Sequence, residues 1–295
     1  MRLETLQVAR LSPKLLSEAR DLVADYVRSQ FRLDPATGEG AFINRAEKPD
    51  LYYTVFGIDC LLALREDLPR GALLKYAESF GEGEGLDLVH LGCLARLWAA
   101  MDVTPTNVKG SILTRIEAYR SGDGGYSQSK KATHGSNYAC FVALGAHQDL
   151  KSEISHPQGL ITCIASQRTR DGAYSNGPDL PLGTTPTTAA ALTMLRVLQQ
   201  PHDRAAGDWL LAQQHPQGGF LAVPDAPMPD LLSTAVALHA LSGIHVEIAP
   251  IRDKTLDFLD SLWVNRGSFF GTWSEDTLDV EYTYYALLAL GHLSL

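Results

Sequence analysis

The sequence is poor in cysteine, with four residues in 295, and each of them stands alone in an apolar run: Cys60, Cys93, Cys140 and Cys163. No CxxC pair is present, and so few scattered thiols in so long a chain exclude a disulfide framework. No apolar stretch approaches the roughly 18 to 20 uninterrupted residues of a membrane span. The opening MRLETLQVARLSPKLLSEARDL carries acids and has no apolar core of a signal peptide. These absences predict a cytoplasmic protein with reduced, buried cysteines.

Basic residues are also scarce relative to acids. Lys and Arg total 25 against 34 Asp and Glu, a formal net charge of −9, which disfavours nucleic acid or an anionic membrane surface as a partner. The chain contains no Walker loop, no Rossmann fingerprint and no HExxH motif. With 45% hydrophobic and 20% charged residues it can still bury a large core, so the composition predicts an ordinary globular protein.

The chain does contain a repeated pairing of glycine with an aromatic residue. The segments are GAF at 40–42, DGGYS at 123–127, DGAYS at 171–175, QGGFL at 217–221 and GTW at 271–273. The first glycines of the last four are 48, 46 and 53 residues apart, close to the 20 to 50 residue period of repeat architectures. The second repeat has only GEGEG at 81–85 as its turn.

Each of these turns precedes an apolar run of helical character. The six runs are TVFGIDCLLAL, LVHLGCLARL, SNYACFVAL, TTAAALTML, STAVALHAL and TYYALLAL. Alignment by their Ala-Leu ends predicts one column of small or polar residues on a common helix face: Gly57, His90, Asn137, Thr188, Thr234 and Thr283. A second helical pattern lies between successive runs, so the chain is predicted to form six helical hairpins.

Six hairpins that bury their faces against two neighbours each would close into a ring. We therefore expect an all-α fold, an α6/α6 toroid with one inner and one outer ring of helices. Residues 1–295 would form a single domain, in which residues 1–34 are an N-terminal helical extension that closes the ring. The cavity is expected on the ring axis, at the N-termini of the inner helices.

The turns QRTRDGAYSNGP and QQHPQGGFLAVP, followed by P-x-T-x-A-x-A-L helices, resemble the α/α-toroid superfamily of prenyltransferase β subunits and squalene or terpene cyclases. The resemblance spans about residues 35–295, and in size and loop shape the chain looks most like a geranylgeranyltransferase β subunit. It implies an apolar, aromatic-lined central funnel that holds an isoprenoid chain or its diphosphate. It also implies a helical partner subunit of the kind that binds the β subunits of this superfamily.

The resemblance also implies where a zinc site would lie. The protein prenyltransferases bind zinc through an Asp and a Cys two residues apart at the start of the fifth inner helix, and a His in the sixth. Asp230 matches the Asp, but Leu232 stands at the Cys position and Tyr282 at the His position. Because zinc needs about four N, S or O donors, we expect no zinc and a zinc-independent route.

Two other family features are missing at the same place. The loop FLAVPDAPMPD before the fifth helix has no Arg or Lys to clamp a diphosphate. The stretch DLLSTA at 230–235 has the frame of the cyclase motif DxDDTA without its middle acid. Neither standard mechanism of the superfamily is therefore preserved.

The remaining candidates for catalysis form an acidic end of the funnel. If Asp230, Asp279 and Glu281 meet at the mouth, like charges and burial would raise the pKa of a carboxyl group and produce a general acid. Tyr282, at the His position, completes the catalytic candidates. Capping of helix N-termini is the alternative role for Asp230 and Asp279.

The candidates for substrate binding are aromatic and basic. Tyr53, Tyr284 and Tyr285 lie on inner helices, where their rings would stack on an apolar chain or stabilise a carbocation. His90 and His134 lie near the starts of the second and third inner helices and would bind phosphate, unless the loop SQSKKATHGS is only a solvated one.

Three functions stay open on the sequence alone. The first is an isoprenoid transferase or cyclase that works without the standard ligands, and the second is a non-catalytic toroid that binds a lipid or a partner. The third, classical zinc-dependent prenylation, requires that other residues complete the metal site. Substrate, chain length and oligomeric state are not determined by the sequence.

Overall fold

The computed structural model describes residues 1–295 as two concentric rings of helices. The inner ring consists of α4 (Leu51–Ala63), α6 (Leu88–Ala100), α8 (Asn137–Asp149), α10 (Thr185–Val197), α12 (Leu231–Gly243) and α14 (Val280–Leu293). The outer ring consists of α3 (Ala19–Ser29), α5 (Arg70–Ser79), α7 (Thr106–Glu117), α9 (Pro157–Ser166), α11 (Arg204–Ala212) and α13 (Arg252–Leu262). The remaining elements are α1 (Arg2–Ala9), α2 (Pro13–Leu16), a short 3-10 turn (Ala249–Ile251), and the antiparallel pairs β1 (Phe31–Leu33) with β2 (Gly40–Phe42) and β3 (Trp263–Val264) with β4 (Ser268–Phe269).

The inner ring is closed, because each inner helix packs against the next and α14 packs against α4. The predicted α6/α6 toroid is therefore confirmed. Residues 1–34 hold α1, α2, α3 and β1: α3 takes the outer position beside α4, while α1 lies against α14 and α4. No helix combines the length and the apolarity needed to cross a bilayer.

Every inner helix begins with the same kind of cap. The side chain of the residue before the helix accepts a hydrogen bond from the third helical amide, in each case at 2.7 to 3.2 Å: Asp50, Asp87, Ser136, Thr184, Asp230 and Asp279. This bond satisfies one of the free N–H groups at the helix start. The six caps set a common register for the inner helices.

Tight glycine turns connect the outer helices to the inner ones. In four repeats the turn glycine has a positive φ of 90° to 96°, a region that side chains with a Cβ rarely adopt: Gly124, Gly172, Gly218 and Gly267. The backbone amide of the aromatic residue that follows donates a hydrogen bond to the next inner helix. The amide of Tyr174 donates to Oγ1 of Thr188 at 3.0 Å, and that of Phe220 donates to Oγ1 of Thr234 at 2.9 Å.

The turn of the sixth repeat lies four residues earlier than the sequence analysis placed it. The equivalent turn is residues 267–269, in which Gly267 has φ +91° and Phe269 pairs with Trp263 across β3 and β4. The GTW segment at 271–273 is a separate loop, so its assignment as the repeat turn is wrong. With Gly267 in place of Gly271, the last interval becomes 49 residues instead of 53.

The column of small or polar residues also needs correction. Counted from the caps, the equivalent position is the fourth residue of each helix: Thr54, Leu91, Cys140, Thr188, Thr234 and Thr283. The alignment by Ala-Leu ends is therefore wrong in the first three repeats and correct in the last three. The corrected column has a clear role, since Thr54 and Cys140 accept the amides of Phe42 and Tyr126 as Thr188 accepts that of Tyr174.

Candidate functional site

A central cavity of about 260 Å³ lies inside the inner ring and is lined by residues of all six inner helices. Its middle is mainly aliphatic and aromatic, with Val55, Phe56, Phe141, Val142 and Val236 among the lining side chains. Small-molecule sites in proteins are typically concave, mostly apolar, and carry a few polar groups that fix orientation. The cavity has this character, and its polar groups lie at its two ends.

The common register of the inner helices sorts the lining residues into layers. The second residue of five inner helices lines the cavity near its mouth: Tyr52, Val89, Tyr138, Pro186 and Leu232. The ninth residue of five inner helices lines the opposite end: Arg96, Gly145, Thr193, His239 and Leu288. Seven residues at 1.5 Å each separate the two layers by about 10 Å along the axis.

Glu281 is the second residue of α14 and so lies at the level of the mouth layer, but it does not line the cavity itself. Its Oε1 accepts a hydrogen bond of 2.6 Å from the hydroxyl of Tyr52, which lines the cavity. Burial, together with the charge of Asp279, raises the pKa of Glu281 to about 6 against the opposing effects of the Tyr52 hydrogen bond and Arg45. The carboxyl group is therefore a candidate proton donor at the mouth.

Asp279 is buried, and each of its carboxylate oxygens already has a partner within the protein. Its Oδ1 accepts the amide of Tyr282 at 2.8 Å as the cap of α14, and its Oδ2 lies 2.8 Å from Nε of Arg45. Arg45 also reaches Glu275 at 3.3 Å and lies over the ring of Tyr282, 5.4 Å from its centroid. The capping role proposed for Asp279 is confirmed, and its second oxygen serves an ion pair.

Asp230 also caps its helix, with Oδ1 2.7 Å from the amide of Ser233. Its backbone amide donates to the carbonyl of Phe220 and so fixes the end of the preceding turn. Burial raises the pKa of Asp230, while the amides of the helix start oppose the shift. The structure places Asp279 and Glu281 near each other, whereas Asp230 interacts with its own helix and with neither of them.

The predicted tyrosines divide into two groups. Tyr284 and Tyr285 line the cavity in its middle layer. Tyr53 and Tyr282 are third residues of their helices, so they lie beside the mouth layer and do not line the cavity. The ring of Tyr282 covers Gly271, where a Cβ atom would meet it at 2.4 Å.

The two predicted histidines lie outside the cavity. Nδ1 of His90 is 2.8 Å from Oδ1 of Asp87, and the side chain is 41% exposed. His134 lies on a loop, 58% exposed and 3.7 Å from Asp123. Each histidine is therefore held beside a carboxylate of its own neighbourhood, which is an unfavourable setting for a phosphate group.

Sequence reasoning missed most of the polar residues that line the cavity. These are Tyr52, Tyr138 and, at the end opposite the mouth, Arg2, Thr5, Arg96, Thr193 and His239. A signal for those on the inner helices is present: they stand two or nine residues after a cap residue, which places them on one helix face. Arg2 has no such signal, because α1 reaches the ring only through tertiary packing.

The zinc site that the resemblance implies does not fit these residues. Asp230 caps a helix, Leu232 presents an aliphatic side chain to the cavity, and Tyr282 covers Gly271. No three His, Cys, Asp or Glu side chains lie close enough together to hold a metal ion. The donor set at the mouth is too small for the tetrahedral coordination that zinc prefers.

Glu281→Gln is expected to stabilise the protein by about 1 to 2 kcal/mol above pH 6 and to have little effect near pH 4.5. The folded protein raises the pKa of this carboxyl from 4.5 to about 6. The stability it contributes is therefore present below pH 4.5 and lost as the pH rises through 6. Urea unfolding of both proteins at pH 4.5 and pH 8 measures the difference between their free energies of unfolding. Glu247→Gln, at an exposed site, is the control. A difference in the free energy of unfolding that does not increase with pH would contradict the raised pKa of Glu281.

Comparison of the sequence with known protein families identifies one family model. The chain matches the family model described as the prenyltransferase alpha-alpha toroid domain, in segments that cover residues 3–180, 123–207 and 187–294. No curated protein sequence matches it. Together these segments extend over nearly the whole chain and include all six inner helices.

Solved structures with the same fold are distant in sequence. A variant of the type II terpene cyclase MstE from Scytonema, in complex with geranylgeranyl dihydroxybenzoate, is 14% identical with a TM-score of 0.60, covering 100% of this chain and 98% of its own. Ligand-free MstE is also 14% identical, with a TM-score of 0.57 and coverage of 95% and 98%. Candida albicans protein geranylgeranyltransferase-I, complexed with GGPP, is 15% identical with a TM-score of 0.52 and coverage of 96% and 82%. At this identity the likeness establishes the fold.

Proposed function

The chain belongs to the prenyltransferase alpha-alpha toroid family, and from this premise we propose that it binds an isoprenoid or similar apolar chain in its central cavity by a zinc-independent route. The observation that carries the proposal is the cavity itself, which is closed by six inner helices and is apolar through its middle layer. Burial of each methylene group of a bound chain contributes about 0.8 kcal/mol, so such a cavity favours long hydrocarbons over polar ligands.

The structural relatives support this choice of ligand. The Scytonema cyclase variant holds a geranylgeranyl compound, and the Candida transferase holds GGPP. In this chain the aromatic side chains Phe56, Phe141, Tyr284 and Tyr285 offer faces on which an isoprenoid chain would pack. No residue at the mouth supplies the Cys and His donors of a zinc site, so the proposed route does not use zinc.

Glu281 is the group that we assign to proton transfer in a transferase or cyclase reaction. It is hydrogen-bonded to a cavity-lining hydroxyl, that of Tyr52, and its pKa of about 6 keeps roughly a tenth of the carboxyl groups neutral at pH 7, far more than at the ordinary pKa of a glutamate. Asp230 and Asp279 serve as caps, and Asp279 also holds Arg45. If the assignment is correct, Glu281→Gln abolishes turnover and leaves the affinity for the chain unchanged.

One observation favours the second candidate, a toroid that binds its ligand without converting it. Two of the three carboxylates at the expected acidic end are occupied by helix amides and Arg45. Incubation with a bound isoprenoid, followed by gas chromatography with mass spectrometry, distinguishes the two. Product formation that Glu281→Gln removes supports the enzyme, and recovery of unchanged ligand supports the binding protein.

Native mass spectrometry tests the proposal itself. The protein, purified without denaturation, would be measured alone and after addition of geraniol, farnesol or geranylgeraniol. One isoprenoid per chain without a metal ion is the expected result. Absence of a complex with all three alcohols would overturn the binding proposal, and stoichiometric zinc would overturn the zinc-independent route. The same spectrum would show a helical partner subunit, which stays a prediction.

A further inference from the structure

The end of the cavity opposite the mouth is polar, in contrast to the middle. Helix α1 packs against α14 and α4 at this end, and its residues Arg2 and Thr5 line the cavity there. From the inner ring Arg96, Thr193 and His239 line the same end. Since an apolar chain needs no such groups, their presence points to a second element of recognition.

Both arginines have N–H groups that form no hydrogen bond within the protein. Nε of Arg2 donates to Oδ1 of Asp59 at 3.0 Å, and Nε of Arg96 donates to Oδ2 of Asp149 at 3.3 Å. The terminal nitrogens of both guanidinium groups, which carry four N–H donors each, make no hydrogen bond to the protein. Arg2 is only 7% exposed, and the side chain of Arg96 is 26% exposed. Because both residues line the cavity, their free N–H groups are available to a ligand bound there.

His239 adds a donor of defined direction. Its Nδ1 lies 3.1 Å from Nε2 of His292, while Nε2 of His239 and Nδ1 of His292 are buried without a partner. Burial lowers the pKa of His239 to about 4 and that of His292 to about 3, so both rings are neutral and carry one proton each. One ring therefore donates to the other.

The two proton arrangements cost the same within the protein, because each leaves one buried N–H group and one buried nitrogen acceptor without a partner. If His239 donates, the unpaired N–H is on Nδ1 of His292, which does not line the cavity. If His292 donates through Nε2, the unpaired N–H is on Nε2 of His239, a residue that lines the cavity. An acceptor bound in the cavity therefore selects the second arrangement.

We propose that the end of the cavity opposite the mouth binds a carboxylate, so that the ligand of this toroid is an isoprenoid acid whose head lies between Arg2, Arg96 and His239. The inference rests on the proposed function of the cavity. A carboxylate accepts through two oxygens with about four lone-pair sites, and the planar arginine fork matches its geometry. Asp59 and Asp149 balance the arginine charges through Nε, and Glu4 lies on α1 near His239 and pairs with Arg196. The free N–H groups therefore provide the recognition.

Three probes with the same farnesyl chain test the inference: farnesoic acid, methyl farnesoate and farnesene. Isothermal titration at pH 7.5 is expected to show the acid binding about 10- to 100-fold more tightly than farnesene, as charge-assisted hydrogen bonds predict. Equal affinities of acid and farnesene would overturn the carboxylate site while leaving the apolar cavity in place. An ester as tight as the acid would overturn it too, and no binding by any probe would overturn the proposed function itself.

Variants of His239 separate the head-group site from the fold. His239→Phe keeps a ring and removes the donor, so it should reduce the affinity for farnesoic acid about tenfold and leave that for farnesene unchanged. His239→Gln, which retains an N–H donor, should recover most of the loss. His245→Phe, on an exposed histidine, is the matched control. Loss of farnesoic acid binding in His245→Phe, or none in His239→Phe, would contradict the assignment.

Discussion

Replacement of Ala190 by tryptophan is expected to weaken isoprenoid binding about 100-fold or more. Ala190 is the sixth residue of α10 and lines the middle of the cavity, between the mouth layer and the polar end. An indole ring placed there would occupy much of a cavity of about 260 Å³. A bound isoprenoid would then clash with the indole ring, so it would bind more weakly or not at all. Native mass spectrometry or calorimetry with farnesol measures the loss.

The fold should survive this change, because the new side chain enters space that the protein does not fill. We expect a shift in the free energy of unfolding within about 1 kcal/mol, smaller than that of an overpacked core. Ala165→Trp, which puts the same side chain on an exposed site of the outer helix α9, should alter neither affinity nor stability. Undiminished binding by Ala190→Trp would place the isoprenoid elsewhere and contradict the proposed function.

The ring itself could be predicted from the sequence because it depends on local signals that recur. Glycine with an aromatic residue marks a tight turn, and an apolar run after it marks a buried helix. Six helical hairpins, five of them with such a turn, favour a closed arrangement, and the structure closes through α14 and α4 as expected. Asp230 and Asp279 as helix caps follow from the same local chemistry.

The register of the helices was harder to predict, and the reason is physical. The caps fix the start of each inner helix, whereas alanine and leucine are interchangeable over several turns of a buried helix. Alignment from the Ala-Leu ends therefore puts Gly57 in the column that belongs to Thr54. The sixth turn failed similarly, since GSF and GTW both pair glycine with an aromatic residue and only the pairing of Trp263 with Phe269 distinguishes them.

The register error carries over to the candidate site. Tyr52 and Tyr53 look equivalent in sequence, but only the second residue of the helix points to the axis, so Tyr52 lines the cavity and Tyr53 does not. The polar end is less accessible still to sequence reasoning. Arg2 and Asp59 are 57 residues apart, and no local pattern indicates that they meet.

Asp59→Asn is expected to destabilise the protein by about 3 to 5 kcal/mol. Nε of Arg2 lies 3.0 Å from Oδ1 of Asp59, and the two side chains are 6% and 2% exposed. Removal of the carboxylate charge leaves the guanidinium of Arg2 buried and uncompensated, while the shape of the side chain is kept. Because this ion pair joins α1 to α4, its loss should also release α1 from the polar end of the cavity. Urea unfolding measures the free energy.

Two further variants test whether the unpaired charge of Arg2 causes the destabilisation by Asp59→Asn. Asp102→Asn breaks the exposed contact between Arg70 and Asp102, with side chains 52% and 81% exposed, and should cost less than about 0.5 kcal/mol. The double variant Arg2→Met with Asp59→Leu removes both charges, and buried pairs replaced by apolar residues are often as stable as the original. It should therefore recover most of the stability that Asp59→Asn loses, yet show a smaller preference for farnesoic acid over farnesene than the unsubstituted protein, because Arg2 no longer donates. If it instead unfolds as easily as Asp59→Asn, packing around Asp59 and not the unpaired charge of Arg2 holds α1 on the ring.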